Sequence, residues 1–464
     1  MSNKQSRDNS KTKEVIYNIL STPHSRIHFI GIGGVSMYSL ARLTMTFGMD
    51  VSGSDREENE RISELTLLGA LVNIGHHSDN VNNSALVVYS HAINEDNPEI
   101  TKAKQLGIPA ISRSEYLGAI MQRYHRCIGV SGSHGKSTTV AMLDCIFSYA
   151  GANPTTLSGA DLPIGEPVRI GGGGTLIYEA CEYKDSFLDF IPWVSVALNL
   201  ELDHTDYFAD LEAIKTSFSK ALNRAEGFAV INGDDPNLLD IRDSVKCRKL
   251  TFGGSPNNDY RYSITAFNEV GFDFTISRHD SVIGSFTINI PGAFNVSNAV
   301  AAIVTALEYG FTAGEIAEAI SSFRGIPRRL EYIGSRFGRP AFYDYAHHPT
   351  EIRESINTLR LLTGRRLAVV FKPHTFSRTR DLWREFVNSL SMAESVILTD
   401  IFPAREQPIE GITSSALAEQ IGSNAIFLSE DKIIEYLDLH TDGAIVLMGA
   451  GNLEKIKQGI INDI

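Results

Sequence analysis

The chain has 464 residues, 43% hydrophobic and 21% charged, a globular composition with room for about three domains at roughly 150 residues each. Its net charge of −13 argues against a nucleic-acid partner, because binding a phosphate backbone wants a basic surface. No run of about 18 apolar residues marks a membrane span, and four widely spaced cysteines (Cys127, Cys145, Cys181, Cys247) with no Cys-x-x-Cys favour reduced thiols in a cytoplasm over disulfides or a zinc site.

Residues 1–24 begin polar and charged and are expected to form a disordered lead-in, neither signal peptide nor anchor. Three blocks follow, each alternating short apolar runs with helix-like segments, which predicts an α/β protein built on parallel doubly wound sheets. The first block, 25–122, opens with a strand at 27–30, then Gly31-Ile32-Gly33-Gly34-Val35-Ser36 and a helix through Leu43. A second strand ends at Ser54-Asp55, and apolar runs at 71–74 and 85–89 continue the pattern. Gly31-x-Gly33-x-x-Ser36 is nearly the dinucleotide fingerprint, and Asp55 falls about 20 residues on, where an acid meets a ribose hydroxyl. Three readings are open: an NAD-dependent oxidoreductase, a Rossmann-like domain holding the diphosphate of a UDP-sugar at its first helix, or a tight turn that only packs strand on helix. Serine in the third glycine's place, and the triphosphate loop that follows in the next block, weigh against nicotinamide.

The second block, 123–326, holds that loop. The apolar run Cys127, Ile128, Val130 leads into Gly132-Ser133-His134-Gly135-Lys136-Ser137, and a helix is predicted from Thr138 to Tyr149. Glycines let backbone N–H groups approach phosphates, Lys136 supplies a point charge, and the Ser137 hydroxyl suits Mg²⁺. The loop is shorter than Gly-x-x-x-x-Gly-Lys-Ser/Thr, with Val130 where the first glycine belongs, so it reads as an unusual P-loop; a glycine turn with a chance lysine is the alternative. Strands at 175–178 and 194–198 end at Glu179 and at Asn199-Leu200-Glu201-Leu202-Asp203-His204. Ligands gather beyond the C-terminal ends of parallel strands, so Glu179 and His204 are placed near the start of the Lys136 helix. Glu179 suits Mg²⁺, directly or through water. His204 is read as a metal-region residue, with polarising a water or core packing as alternatives. Glu182, Asp185, Asp203 and Asp206 are read as mostly solvated or capping, and Cys181 as packing. A β-ribbon is expected around 272–276. A helix is expected near Ala299, preceded by Asn295 and Asn298, which either present amides to a base edge or, as Asn298 or Ser297, cap that helix. The third block, 327–464, offers buried strands at 367–371, 396–398, 425–428 and 444–448.

Taken together these pieces resemble the Mur ligase family, the ATP-dependent amide-forming enzymes of peptidoglycan assembly, over nearly the whole chain from the first strand onward. The carrying motifs are Gly132-Ser133-His134-Gly135-Lys136-Ser137, Glu179, Asp203-His204, Asn295-x-x-Asn298, Gly325-x-x-Arg328-Arg329, Asp344-Tyr345-Ala346-His347-His348-Pro349-Thr350-Glu351, Lys372-Pro373-His374-Thr375-Phe376-Ser377-Arg378 and Gly449-Ala450-Gly451-Asn452. The resemblance implies three domains: a Rossmann-like UDP-sugar-binding domain, a central P-loop ATPase-like domain and a Rossmann-like amino-acid-binding domain. It implies a cytoplasmic, ADP-forming acid–amino-acid ligase with Mg²⁺, whose partners are UDP-N-acetylmuramate and L-alanine, as a monomer or dimer. A murein tripeptide is the alternative acceptor. It implies ATP on Gly132, Ser133, His134, Gly135, Lys136, Ser137 and Thr138, adenine on Asn295 and Asn298, the ATP ribose on Asp344, and Arg329 at the γ-phosphate. Ser137 and Glu179 would hold one Mg²⁺ and His204 a second. Gly31, Gly33, Gly34, Ser36, Asp55 and His76 would hold the UDP portion, and Tyr345, His374 and Arg378 the amino acid.

Several positions depart from the family pattern. Ser36 replaces a frequent glycine, Phe294 a common histidine, Thr375 an arginine often found beside His374, and Asn452 an aspartate; the stretch from Glu179 to Asp185 is less acidic than usual. Phe218 takes the place of the carbamylated lysine of the later enzymes of the pathway, with Lys215 and Lys220 close by. The implied chemistry passes through an acyl phosphate, with Lys136, Arg329 and Mg²⁺ neutralising the transferring group. His347, His348 and His374 are candidates for the base. Domains that must bring Arg329 and Asp344 to a phosphate site in the middle block predict an open free form and a closed liganded one.

Overall fold

A computed structural model describes residues 9–205, 207–267, 270–279, 281–404 and 406–461. The chain forms three sheets in succession. The first contains β1 (Arg26–Ile30), β2 (Asp50–Asp55), β3 (Leu71–Ile74), β4 (Leu86–Tyr89) and β5 (Ala110–Ser112), all parallel, in the order β3-β2-β1-β4-β5. The direction of winding reverses at β1, so a crevice opens beyond its C-terminal end, where the Gly31 loop lies.

The second sheet is larger. Its strands β6 (Arg126–Ser131), β7 (Thr155–Leu157), β8 (Val168–Arg169), β9 (Thr175–Glu179), β10 (Val194–Ala197), β11 (Phe228–Asn232) and β12 (Arg248–Gly253) are parallel except β8. An antiparallel ribbon of β13 (Tyr260–Phe267), β14 (Phe272–Arg278) and β15 (Ser281–Ile288) extends it, giving the order β15-β14-β13-β12-β11-β10-β6-β9-β7-β8. Here β6 sits between β10 and β9, and the loop after β6 occupies the switch point.

The third sheet comprises β16 (Glu331–Arg336), β17 (Arg339–Asp344), β18 (Leu367–Phe371), β19 (Ser395–Leu398), β20 (Ala425–Phe427) and β21 (Ala444–Met448) in the order β16-β17-β21-β18-β19-β20, parallel apart from β16. Every residue of β18 and β21 is buried, as continuous Val/Ile/Leu runs covered on both faces must be. The first and second blocks share one apolar core, in which Tyr116, Leu117 and Ile120 join Leu176, Phe187 and Phe190. The third block packs around cores of its own.

Two expectations need correction. A disordered lead-in gives way to a helix at Asn9–Leu20, with residues 1–8 outside the described residues. Ile16, Ile19 and Leu20 recur at helical spacing; Ile16 and Leu20 are buried in the first core, and the Arg123 guanidinium donates to the Leu20 carbonyl. The helix expected near Ala299 begins earlier, at Ala293–Tyr309, with Gly292 as its N-cap at φ +94°. Ser297 and Asn298 therefore lie inside the helix and cap nothing. A cap without a side chain leaves no Ser/Thr/Asp/Asn signal to read.

Candidate active site

β6 delivers the chain into Gly132, and the helix Lys136–Tyr149 leaves from Gly135. Asn199, just past β10, braces the turn between them: its side-chain oxygen accepts from the His134 amide at 2.8 Å and its amide donates to the His134 carbonyl at 3.1 Å. Gly135 has φ +83°, and a Cβ there would lie 2.4 Å from the Asn298 side-chain oxygen. Only glycine lets helix Ala293–Tyr309 approach the loop this closely.

Lys136 donates to the carbonyls of Gly132 and Ser133 and faces Glu182 at 3.3 Å. Glu182 is fully buried and lies 3.6 Å from His204 Nε2. Burial works to raise the Glu182 carboxyl, but Lys136 and His204 outweigh it and hold it below the usual range. Burial likewise opposes the charge on Lys136, and Glu182 outweighs it, pushing the ammonium up. Asp203, also buried, accepts from Arg378 of the third block at 3.0 Å and is held well below the usual carboxylate range by Arg378 and His204 against burial. Glu182 and Asp203 are thus not solvated or capping acids. Asp185 accepts from Tyr207 and Ser217, and Asp206 lies outside the described residues. His204 adopts φ +56°, a left-handed conformation that tertiary contacts must impose on a non-glycine residue.

Lys136, Ser137, Glu179, Glu182, Asp203, His204, Arg329, Tyr345, His347 and Arg378 line one central cavity. Cys181 lines it too, its thiol pushed up by burial. Glu179 is steadied by Ser158 Oγ and the Gly159 amide. Ser137 and Glu179 place a hydroxyl and a carboxylate on this lining, hard donors of the type that suits Mg²⁺, whereas Glu182 and Asp203 are held by Lys136 and Arg378.

Three further cavities adjoin this one through shared residues. The first, lined by Thr138, Phe294, Asn295, Asn298 and Asp344, shares His134, Gly135, Arg329 and Glu351 with it. There the Asn298 amide donates to the Asn295 oxygen at 3.1 Å, and the buried Asp344 accepts from Ser355, its carboxyl raised by burial. The second holds His374, Thr375, Tyr183 and His91 and shares Asp203, His204 and Arg378. Arg378 also lies 3.0 Å from His374 Nδ1. The third, in the first block, is lined by Gly31, Gly33, Gly34, Ser36, Asp55, His76 and Arg113 and shares Val35. Asp55 is already engaged there: its carboxylate accepts from the Gly33 amide at 2.9 Å.

Contacts across the seam between the second and third blocks are polar. His134 lies 3.1 Å from Glu351 and 3.6 Å from Glu201; burial would lower its pKa, but Glu351 and Glu201 outweigh burial and push it up to about 9. Arg329 pairs with Glu351 at 3.6 Å and lies over the Tyr345 ring. His348 caps helix Pro349–Thr363, accepting from the Thr350 amide, and its pKa is lowered by burial and by His134. His347 is lowered to about 3, by burial and then by Arg378 against the opposing charge of Glu351, and His374 to about 4, by burial and then by Arg378. Phe218 is fully buried against Phe187, and Lys215 is spent on Glu212 and Asp240. Sequence reasoning missed Asn199, Glu201 and the burial of Glu182. The only signal was their position just past strand ends.

The chain matches three family descriptions in succession: "Mur ligase family, catalytic domain" over residues 26–125, "Mur ligase middle domain" over 130–306 and "Mur ligase, glutamate ligase domain" over 328–451. It is 39% identical to the UDP-N-acetylmuramate–L-alanine ligase of Alkaliphilus metalliredigens over 457 residues, covering 96% of this chain and 99% of that protein. It is 40% identical to the enzyme of that name from Acetivibrio thermocellus over 448 residues, covering 94% and 96%. Among solved structures, the UDP-N-acetylmuramate-alanine ligase of Thermotoga maritima shares the fold, with TM-score 0.80 at 24% identity over 95% of this chain and 99% of that one. A murein peptide ligase of Psychrobacter arcticus aligns with TM-score 0.73 at 25% identity over 94% and 98%.

Proposed function

The chain belongs to the Mur ligase family, and from that premise we propose that it is an ATP-dependent ligase joining L-alanine to the carboxylate of UDP-N-acetylmuramate, with release of ADP and phosphate. The observation that carries the reading is the meeting of three cavities on the one that contains Lys136. Joining an acid to an amine at the expense of a triphosphate requires three ligands to reach one point.

In this reading the glycine loop of the first block holds UDP, and its sugar-borne carboxylate reaches the central cavity. ATP lies along Gly132 to Thr138, its adenine against Asn295 and Asn298 and its ribose at Asp344. A carboxylate oxygen attacks the γ-phosphorus, the bond to the β-phosphate oxygen breaks, and ADP leaves. The alanine nitrogen then attacks the acyl carbon, and phosphate departs as the amide forms. Lys136 and Arg329 offset charge on the transferring group, and the cross-block pair Arg378–Asp203 closes the amino-acid end. Ser137 and Glu179 would hold one Mg²⁺ and His204 a second, supplying further charge neutralisation when bound. His347 faces the cavity, but its pKa, lowered to about 3 mainly by burial, makes it a weak acceptor for the amine proton.

A cytoplasmic location fits the unpaired cysteines; among the described residues no helix is long and apolar enough to cross a membrane. The murein peptide ligase neighbour supports a second acceptor, a tripeptide, but curated relatives at 37–40% identity over nearly the full length favour alanine. ADP release with UDP-N-acetylmuramate, compared between L-alanine and the tripeptide, decides. Turnover with alanine is expected; turnover with tripeptide alone would overturn the alanine assignment.

A further inference from the structure

Behind the glycine loop of the first block lies a buried polar cluster that this mechanism leaves unused. Glu99 stands in the first turn of helix Pro98–Leu106, a place where glutamate is ordinarily solvated, yet it is 0% exposed. Its carboxylate accepts from Ser54 Oγ at 2.7 Å and from the Asn80 amide at 2.6 Å. It also faces His76 Nδ1 at 3.3 Å and His28 Nε2 at 3.7 Å. His28, in the middle of β1, is itself fully buried, with Nδ1 3.0 Å from Ser52 Oγ.

Burying a carboxylate costs several kcal/mol before its partners repay it, and an apolar residue of similar size would serve packing at no such cost. Of the groups around Glu99, His76 is the one that lines the first-block cavity. Its tautomer follows from the hydrogen bonds. Ser54 spends its hydroxyl proton on Glu99, so its oxygen is left to accept from His76 Nδ1, which lies 3.0 Å away. Both neighbours of Nδ1 are therefore acceptors, the proton is held on Nδ1, and Nε2 is turned to the cavity. A carboxylate behind an imidazole fixes its tautomer and ring orientation, as it does behind metal-bound histidines.

We propose that Glu99, supported by His28, Ser54 and Asn80, is a positioning residue that sets the tautomer and orientation of His76, so that Nε2 is the acceptor offered to a hydroxyl or N–H of the sugar-nucleotide ligand. The inference rests on the reading that this cavity holds the UDP portion of the substrate.

The test is a double-mutant cycle of Glu99→Gln and His76→Asn, with steady-state constants measured for each substrate. Each single change is expected to raise KM for UDP-N-acetylmuramate roughly tenfold while kcat and KM for ATP stay within about twofold, and the second change is expected to add little to the first. Full additivity, or a Glu99→Gln effect on kcat alone, would overturn the positioning role. If His76→Asn raises KM and Glu99→Gln does not, this inference fails and the UDP assignment stands. If His76→Asn leaves KM unchanged, the UDP assignment fails first, and the inference with it. Because Glu99→Gln can also impair folding, histidine ¹⁵N NMR of the unmodified protein supplies an independent readout. A protonated Nδ1 with an unprotonated Nε2 is expected for His76; a ring protonated at Nε2 would overturn the proposal.

Discussion

A buried charge takes its meaning from the group opposite it. Lys136 lies 46 residues from Glu182 in sequence, and Arg378 lies 175 residues from Asp203. The loop lysine is legible because glycine, lysine and hydroxyl stand at fixed spacing, whereas the burial of Glu182 and Asp203 depends on partners that no local pattern announces. Lys136→Ala is expected to abolish ADP release and also to lower stability by about 3–5 kcal/mol, because it strands a buried carboxylate. Adding Glu182→Gln is expected to restore the urea midpoint but not turnover. If the single variant proves as stable as the parent, the pair is not the buried contact described. His134 supplies a pH dependence. Its folded pKa, about 9, exceeds the ordinary 6.5, so its contribution to stability is fully present below pH 6.5 and is lost as pH rises through about 9. Unfolding free energies across that window should fall more steeply in the parent than in His134→Gln, and parallel slopes would dismiss the ion pair.

Strands and helices are legible in proportion to how completely local pattern determines them. The four apolar runs read as buried strands of the third block fall on β18, β19, β20 and β21. Of these, β18 and β21 are buried throughout, as strands covered on both faces must be, but β20 is the sheet's edge strand and has no buried residue, so its apolar run marks a strand and not its burial. The unexpected helix, Asn9–Leu20, and the one that starts earlier than expected, Ala293–Tyr309, escape the local pattern for different reasons. Asn9–Leu20 has a polar sequence with one sparse apolar stripe, so composition masks its periodicity. Ala293–Tyr309 starts at a glycine whose conformation, not its side chain, opens the helix. The close approach of that helix to the phosphate loop makes Gly135 the position where one methyl group tests the element. In Gly135→Ala the Cβ must displace Asn298 at a left-handed φ, a strain on the order of 1–3 kcal/mol. Binding of an ATP analogue by calorimetry is expected to weaken at least tenfold with the fold retained, as judged by circular dichroism. Unchanged affinity would mean that the loop and the asparagine pair do not form one nucleotide site.

At the scale of the whole molecule the two seams differ in kind. The first and second blocks are joined by a continuous apolar core, and separating them would expose Tyr116, Leu117, Phe187 and Phe190 to water. The second and third blocks meet through charged and polar pairs instead: Arg378 with Asp203, His134 with Glu351, Thr350 with Glu201, and Thr205 with Asp381 at 2.7 Å. When this seam parts, water can take over the hydrogen bonds of these polar groups, whereas parting the first seam would bare apolar surface, so the third block is expected to move while the first two travel as one body. Substrate entry is then expected to require this seam to part, and the reaction to require it closed. ATP analogue and sugar nucleotide together are expected to compact the molecule in small-angle scattering. Fluorescence energy transfer should locate the change: a pair of dyes on the second and third blocks responds, and a pair on the first and second does not. A response confined to the first–second pair, or no compaction with both ligands, would reverse the assignment of which seam is the hinge.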